Sequence, residues 1–204
     1  MIIALDFDGT LVDCEARQMA VLSAVSLRQG ISVDLNSVWK FKRSGLNTRD
    51  ALISTGISTS RSVALQSAWL SEIENTGWLS LDQLFPGVRG VLGAWSRSGH
   101  ALSLLSARSR GEWLACQVRN LGIAECFDDV ICVNPLHAVA QKSKALLSLN
   151  ADIFVGDTET DYESAMLAKV EFIAVSSGQR SREYLLAKGC PNIADTFASI
   201  NLQR

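Results

Sequence analysis

Long apolar runs, blocks of like charge and paired cysteines are all missing from this chain of 204 residues. No apolar run approaches the ~20 residues needed to span a bilayer, and no basic segment with a cleavage site precedes the first apolar run. We therefore expect a cytoplasmic protein with no membrane partner. The formal net charge is only −2, and residues of like charge form no block in the sequence. Both observations argue against a nucleic-acid partner. Five cysteines without a CxxC pair argue against a disulfide framework and against a structural zinc site.

Histidine is also scarce, because the chain contains only His100 and His137. Neither has a carboxylate partner at a recognisable spacing, and we assign neither a role. The composition is otherwise ordinary for a soluble globular protein, with 48% apolar and 20% charged residues. This length allows one well-filled core with an inserted subdomain. The charge balance fits a small diffusible ligand, and we expect a monomer or a homodimer.

Five short apolar or β-branched runs recur along the chain, at residues 2–7, 101–105, 130–133, 153–155 and 172–175. Helical patterns separate the last four runs. From residue 84 onward, helices and strands alternate, which is typical of a parallel sheet with helices on both faces. The sequence therefore predicts an α/β fold.

The segment between the first run and residue 85 has helical patterns and no convincing strand, and it predicts a helical insertion. The patterns cover residues 15–29, 34–43, 48–54 and 60–76. Thr48 and Ser60 are candidate N-caps of two of these helices. We expect the aromatic residues of the insertion to form its small core rather than to stack on a cofactor: Trp39, Trp69 and Trp78.

The first strand leads directly into Asp6-Phe7-Asp8-Gly9-Thr10. Asp8-Gly9-Thr10 alone could be an ordinary turn. Parallel sheets, however, bind ligands just beyond the carboxyl ends of their strands, where these two carboxylates are expected to lie. Two anions close together in a dry crevice need protonation of one or a bound cation such as Mg²⁺.

Other predicted strands end in polar residues as well. Ser106 follows the second strand, although it could simply cap the next helix. Gly156-Asp157 follows the fourth strand, and Asp161 lies one helical turn later. Lys142 stands near the start of a helix, where the helix dipole disfavours a cation unless an anion is near. Lys144 is a competing candidate, and we favour Lys142 because it is closer to the helix entrance.

Taken in order, these motifs resemble the four motifs of the haloacid dehalogenase-like superfamily. The resemblance implies a Rossmann-like core over residues 1–12 and 84–204, with a helical cap over residues 13–83. Phosphatase members of the superfamily need an aspartate two residues after the nucleophile, and Asp8 fills that place, whereas dehalogenases lack it. The capped layout and the stretch 178–183 look most similar to the phosphoglycolate phosphatase and β-phosphoglucomutase branch.

This resemblance implies a Mg²⁺-dependent phosphatase that acts on a small phosphorylated metabolite. Asp6 would attack phosphorus and form an aspartyl-phosphate, and Asp8 would be the general acid and base. Mg²⁺ would be bound by Asp6, Asp157 and Asp161, together with the backbone carbonyl of Asp8. Hydroxyl and backbone N–H groups near Lys142 would hold the phosphoryl oxygens, and they belong to Gly9, Thr10, Ser106 and Ala107.

Substrate specificity is expected to come from the cap, because the core contacts only the phosphate. Arg49 lies in a basic stretch that approximately resembles a substrate-binding cap segment, although it could equally belong to a solvated face. Arg108 and Arg110 follow Ser106 and could reach an acidic leaving group, or they could be ordinary surface arginines.

Two other functions remain open. A phosphosugar mutase would use the same residues but return the phosphoryl group to a sugar hydroxyl. A non-catalytic phosphate-binding module would keep the fold without turnover, but the intact set of motif residues argues against it.

Overall fold

The computed structural model of the protein describes residues 1–202, which form eight strands and ten α-helices. The strands are β1 (Ile2–Leu5), β2 (Val12–Asp13), β3 (Gln83–Leu84), β4 (Ala101–Ala107), β5 (Asp129–Val133), β6 (Ile153–Gly156), β7 (Glu171–Val175) and β8 (Ile193–Ala194). The helices are α1 (Glu15–Arg28), α2 (Leu35–Arg43), α3 (Thr48–Ser54), α4 (Thr59–Glu72), α5 (Thr76–Leu79), α6 (Val88–Arg97), α7 (Gly111–Asn120), α8 (Ala138–Leu149), α9 (Glu159–Ala168) and α10 (Arg182–Ala187).

Six strands form one parallel sheet in the order β5-β4-β1-β6-β7-β8. The short apolar strand β1 lies inside this sheet, where Ile3 aligns with Leu102 of β4 and with Ile153 of β6. Strands buried on both faces have nearly continuous apolar sequences, as β1 does. The predicted α/β fold with a parallel sheet is confirmed.

The two faces of the sheet carry separate hydrophobic clusters because side chains alternate along each strand. Ile3 and Leu5 pack with residues of α6 and α7, whereas Ala4 packs with residues of α8 and α9. Helices therefore cover both faces, and the carboxyl edge of the sheet stays available for polar loops.

Helices α1–α5 lie between β2 and β3 and enclose a third hydrophobic cluster. We call this segment, residues 15–79, the cap. Its core includes Leu22, Leu52 and Leu65. Trp69 and Trp78 pack against that cluster and Trp39 is buried, as expected for structural aromatics.

The chain enters and leaves the cap through an antiparallel ribbon in which Val12 of β2 pairs with Leu84 of β3. The expectation that no strand occurs between the first apolar run and residue 85 is therefore wrong. Each of these strands has two residues, which is too short to show an alternating pattern. The predicted division into core and cap at residues 12/13 and 83/84 falls inside this ribbon and stays a prediction.

Several predicted boundaries are also corrected. Strand β1 ends at Leu5 rather than at residue 7, and β4 continues through Ser106. Helix α3 is capped by Asn47, whose side chain accepts a hydrogen bond from the Asp50 N–H, so Thr48 is the first helical residue. Helix α4 begins one residue before Ser60, with Ser58 at the N-cap position. Among the helices of residues 1–202, none is both long and apolar enough to cross a bilayer.

Candidate active site

Polar residues from distant parts of the chain meet at the carboxyl edge of the sheet, around a cavity of about 200 Å³. The cavity lies beyond the ends of β1, β4 and β6, where a parallel sheet places its ligands. The residues that line it are Asp6, Asp8, Ser106, Ala107, Pro135, Ala138, Lys142, Thr158, Thr160, Asp161 and Gln179. The structure thus brings together most of the residues that the motifs singled out.

Lys142 is the cation at the centre of this site. Its Nζ lies 2.6 Å from Asp6 Oδ1 and 2.6 Å from Asp161 Oδ1, and its side chain is buried. Burial lowers the pKa of Lys142, but the two carboxylates outweigh burial and hold the pKa above its ordinary value. Lys144, in contrast, is exposed on the same helix. The geometry therefore favours Lys142 as the lysine of the site.

Three buried carboxylates form a compact acidic group, which we call the acidic triad: Asp6, Asp157 and Asp161. Each offers one oxygen within 4.8 Å of the others. Burial and the neighbouring carboxylates raise the pKa of Asp6 to about 7, although Lys142 opposes this, and they raise the pKa of Asp157 well above its ordinary value. The single positive charge of Lys142 is smaller than the combined negative charge of three ionised carboxylates, so the triad needs further positive charge. An all-oxygen donor set of this kind fits Mg²⁺.

Asp161 accepts three hydrogen bonds on its two carboxylate oxygens. Oδ1 accepts from Lys142, and Oδ2 accepts from the backbone N–H and the hydroxyl of Thr158. This arrangement is the capping box of α9. Asp161 therefore holds Lys142 in place. Within residues 1–202, Asp6 accepts a side-chain hydrogen bond from Lys142 alone, so it is the freest carboxylate of the triad for a cation.

Two glycines, Gly9 and Gly178, lie in close contact with the carboxylate of Asp157. Gly9 has φ +91°, and a Cβ atom at this position would lie 2.1 Å from Asp157 Oδ2. At Gly178, a Cβ atom would lie 2.3 Å from the same oxygen. Only a residue without a side chain fits either position. The glycine after Asp8 is therefore required by the close approach of the two loops.

Asp8 lines the cavity, but its carboxylate belongs to a different set of contacts. Arg108 donates two hydrogen bonds of 2.7 Å to it, from Nε and from Nη2, and Arg17 Nη2 donates a third. Burial raises the pKa of Asp8, but Arg108 and Arg17 outweigh burial and hold the pKa below its ordinary value. The Asp8 carboxylate is not a member of the acidic triad, and its backbone oxygen accepts a hydrogen bond from Gln179 Nε2 at 3.1 Å.

The three arginines considered from the sequence have different surroundings. The interpretation of Arg108 as a surface arginine is wrong, because its side chain is buried against Asp8. Arg110 is exposed, and its guanidinium lies 4.0 Å from the centre of the Trp113 ring. Arg49 is also exposed, is paired with Asp50, and does not line the cavity. The structure therefore does not bring Arg49 to the site, and its substrate role stays a prediction.

Of the two hydroxyl residues expected to bind phosphate, Ser106 lines the cavity and Thr10 does not. Ser106 is buried at the end of β4 and lines the cavity, and it does not cap α7, which has Arg110 at its N-cap position. The Thr10 hydroxyl donates to Asp157 Oδ1 at 3.4 Å. Their roles in binding phosphate remain predictions.

Sequence reasoning missed Arg17, Asp82 and Gln179. Arg17 and Asp82 are buried and bonded to each other, at 2.9 Å between Nε and Oδ1. Gln179 donates its backbone N–H to Asp157 Oδ2 at 2.6 Å. The only available signal was the glycine-containing stretch that includes Gln179, because nothing in the sequence marks Arg17 or Asp82 as buried.

Comparison with known proteins agrees with this arrangement. The family model described as haloacid dehalogenase-like hydrolase matches residues 3–175. The chain belongs to this family. The predicted superfamily and the prediction of an enzyme are confirmed, and the buried residues at the sheet edge are the candidate active site of this hydrolase.

Similar proteins cover nearly the whole length of the hydrolase. A phosphoglycolate phosphatase from Synechococcus elongatus is 27% identical over 199 residues, which is 93% of this chain and 90% of the relative. A haloacid dehalogenase-like family hydrolase from Streptococcus pneumoniae has a TM-score of 0.78 at 22% identity, covering 96% of this chain and 93% of its own. CbbY from Rhodobacter sphaeroides, solved in complex with phosphate, has a TM-score of 0.67 at 15% identity, covering 97% and 95%. The two structures show the same fold.

Proposed function

We propose that this hydrolase is a Mg²⁺-dependent phosphatase that cleaves a small phosphate monoester through an aspartyl-phosphate. The observation that carries the proposal is the position of Asp6. This carboxylate lines the cavity, is held by Lys142 and lies two residues from a second acid, Asp8, that is not part of the acidic triad.

In the first half-reaction, an oxygen of Asp6 forms a bond to phosphorus while the bond from phosphorus to the leaving oxygen breaks. Asp8 donates a proton to that leaving oxygen, so that an alcohol departs rather than an alkoxide. Arg17 and Arg108 favour the ionised form of Asp8. The negative charge of an incoming phosphate offsets this effect, because it favours the protonated form of Asp8. In the second half-reaction, Asp8 takes a proton from the water that attacks the aspartyl-phosphate and releases inorganic phosphate.

Other residues stabilise the charge that moves during these steps. Phosphoryl transfer spreads negative charge over the equatorial oxygens, so positioning and electrostatics supply most of the catalysis. Lys142 and the hydroxyl of Ser106 line the cavity where those oxygens would lie. A Mg²⁺ ion held by Asp6 and Asp157, with Asp161 beside them, would supply further positive charge against the repulsion between the nucleophile and the phosphate.

The size of the cavity supports a small substrate. About 200 Å³ is below the usual 300–1,000 Å³ of pockets for drug-sized ligands. The phosphoglycolate phosphatase from Synechococcus elongatus, similar along nearly the whole chain, supports a small ester of this kind. We therefore place phosphoglycolate first among the candidates, ahead of hexose phosphates and nucleoside monophosphates.

The test is phosphate release by the purified protein with Mg²⁺ from a panel of these three classes of ester. We expect release in the wild type and in an Asp195→Asn control, because the Asp195 side chain is 83% exposed. Asp6→Asn is expected to reduce release to below a few per cent of the wild-type rate. Retained release in Asp6→Asn would contradict the nucleophile assignment. Isomerisation of a hexose phosphate with a bisphosphate activator but little phosphate release would favour a mutase, and binding of phosphate without turnover would favour a binding module.

A further inference from the structure

A row of polar groups runs from the candidate active site, through the first helix of the cap, to core helix α7. We call it the charge row, and its members are Asp8, Arg17, Asp82 and Gln117. Arg17 donates from Nη2 to Asp8 Oδ1 and from Nε to Asp82 Oδ1, the latter at 2.9 Å. Asp82 Oδ2 accepts a hydrogen bond of 2.7 Å from Gln117 Nε2. Each side chain in the row is thus held by the next.

Arg17 is fixed at three points, which distinguishes it from an ordinary ion pair. Its third nitrogen, Nη1, donates to the backbone oxygen of Ile73 at 3.1 Å. The Arg17 side chain is only 4% exposed, and the Asp82 side chain is fully buried. A planar guanidinium with partners on all three nitrogens has one orientation, so the position of its Asp8 contact is fixed as well.

The four members of the row belong to different parts of the fold. Asp8 follows β1, Arg17 is on the first helix of the cap, Asp82 lies just before the return strand β3, and Gln117 is on core helix α7. The row therefore includes a residue near each of the two chain connections between core and cap, the one after β1 and the one before β3. A displacement of the cap relative to the core would move Arg17 and, with it, the contact to Asp8.

Contacts outside this row also hold the cap against the core. Arg43 of the cap donates to the backbone oxygens of Ser176 and Gly178, and Glu74 accepts from the backbone N–H groups of Ser109 and Arg110. These contacts lie on either side of the site and would remain if Arg17 were changed. Attachment of the cap therefore does not rest on the bond from Arg17 to Asp8 alone.

We propose that Arg17 is a positioning residue that holds the Asp8 carboxylate in its working place, and that Asp82 in turn orients Arg17. This inference rests on the proposed function, since it concerns the residue that transfers protons there. Arg108 holds Asp8 from the core side, so Arg17 supplies the second contact and makes the position of Asp8 depend on the cap.

The test is steady-state kinetics of four single variants and one double variant against the best phosphate ester of the panel. We expect Arg17→Met to lower kcat by 10- to 100-fold with KM within about twofold, because misplacement by about 1 Å of a reacting group can cost 10²-fold. Arg17→Lys should recover part of kcat, since it keeps a cation but cannot reach all three partners. Arg61→Met, on exposed cap residue Arg61, is the matched control and should behave as wild type.

A double-mutant cycle distinguishes positioning from general stability. Asp82→Asn should lower kcat by about tenfold in the wild type but have little further effect in Arg17→Met, because it acts through Arg17. Independent, multiplicative effects on kcat, or a kcat of Arg17→Met within twofold of wild type, would overturn the inference. If Arg17→Met does not fold, Arg17→Lys and Asp82→Asn provide the same comparison.

A readout that does not need turnover separates this inference from the proposed function. If the wild type releases no phosphate from any ester, the proposed function fails, and crystal structures of wild type and Arg17→Met decide the inference. A displaced Asp8 side chain in the variant would support a positioning role, whereas an unchanged Asp8 would overturn it.

Discussion

Lys42 allows a test of how a buried charge affects the stability of the cap, because it is a buried lysine without a carboxylate partner among the described residues. It lies on α2, its side chain is 5% exposed, and its Nζ donates to the Thr48 hydroxyl at 2.9 Å. The same Nζ lies 4.8 Å from the centre of the Trp69 ring. Among the ion pairs of residues 1–202, none includes Lys42. Burial, with a further contribution from Arg180, lowers the pKa of Lys42 from 10.5 to about 7.

The effect of Lys42 on the free energy of unfolding follows from this lowering of its pKa. One pKa unit corresponds to 1.36 kcal/mol, so a lysine at about 7 in the folded state and 10.5 in the unfolded state destabilises the protein by up to about 5 kcal/mol below pH 7. Between these two pKa values the unfolded state binds more protons than the folded state. The free energy of unfolding therefore rises with pH, and the contribution of Lys42 between pH 7 and pH 9 is about 2 kcal/mol.

Lys42→Met removes the charge and keeps the length of the side chain. The variant loses one hydrogen bond, which stabilises by about 1 kcal/mol, but it no longer buries a cation at low pH. We expect it to be more stable than the wild type at pH 6, with a difference that shrinks by about 2 kcal/mol between pH 7 and pH 9. Urea unfolding at four pH values, with Lys40→Met at an exposed position of the same helix as control, measures this difference. A constant difference between variant and wild type from pH 6 to pH 9 would refute the reasoning.

Three further predictions concern the candidate site. Lys142→Met should lower kcat for phosphate release by at least 10²-fold because Asp6 and Asp161 lose the cation that they contact, whereas Lys144→Met should retain wild-type activity in the same assay. Gly9→Ala should abolish phosphate release and lower the melting temperature, since its Cβ atom would lie 2.1 Å from Asp157 Oδ2; a variant with normal activity would show that the two loops can separate. Removal of divalent ions with a chelator should stop phosphate release, and added Mg²⁺ should restore it; full activity in chelator would argue against a metal at the acidic triad.

The parts of the fold that the sequence predicts are those with a repeating pattern. The alternation of apolar runs and helical patterns after residue 84 predicts the parallel sheet. The position of the first apolar run predicts where Asp6 lies, and the ends of the later runs predict where Ser106 and Asp157 lie. The two-residue strands of the cap ribbon have no pattern to detect. Their existence depends on tertiary pairing between residues that are about seventy positions apart in the chain.

The same reasoning explains which site residues were found. Lys142 and Lys144 lie two positions apart on one helix, so they point to different sides, and only the packed structure shows which side faces the site. Arg17 was missed because its carboxylate partners are 9 and 65 residues away. A buried arginine in a helix looks like a solvated one until the groups around it are known.

The position of β1 within the sheet has a consequence for how the chain folds during synthesis. The strand precedes both of its neighbours in the chain, because these begin at residues 101 and 153. At 5–20 residues per second, the ribosome takes on the order of ten seconds to deliver the second neighbour. Until then the apolar strand Ile2–Leu5 lacks one of its two partners, whereas the helical cap, with its own hydrophobic cluster, already has its sequence. The loop that carries Asp6 therefore reaches its final surroundings only after β6 has been made.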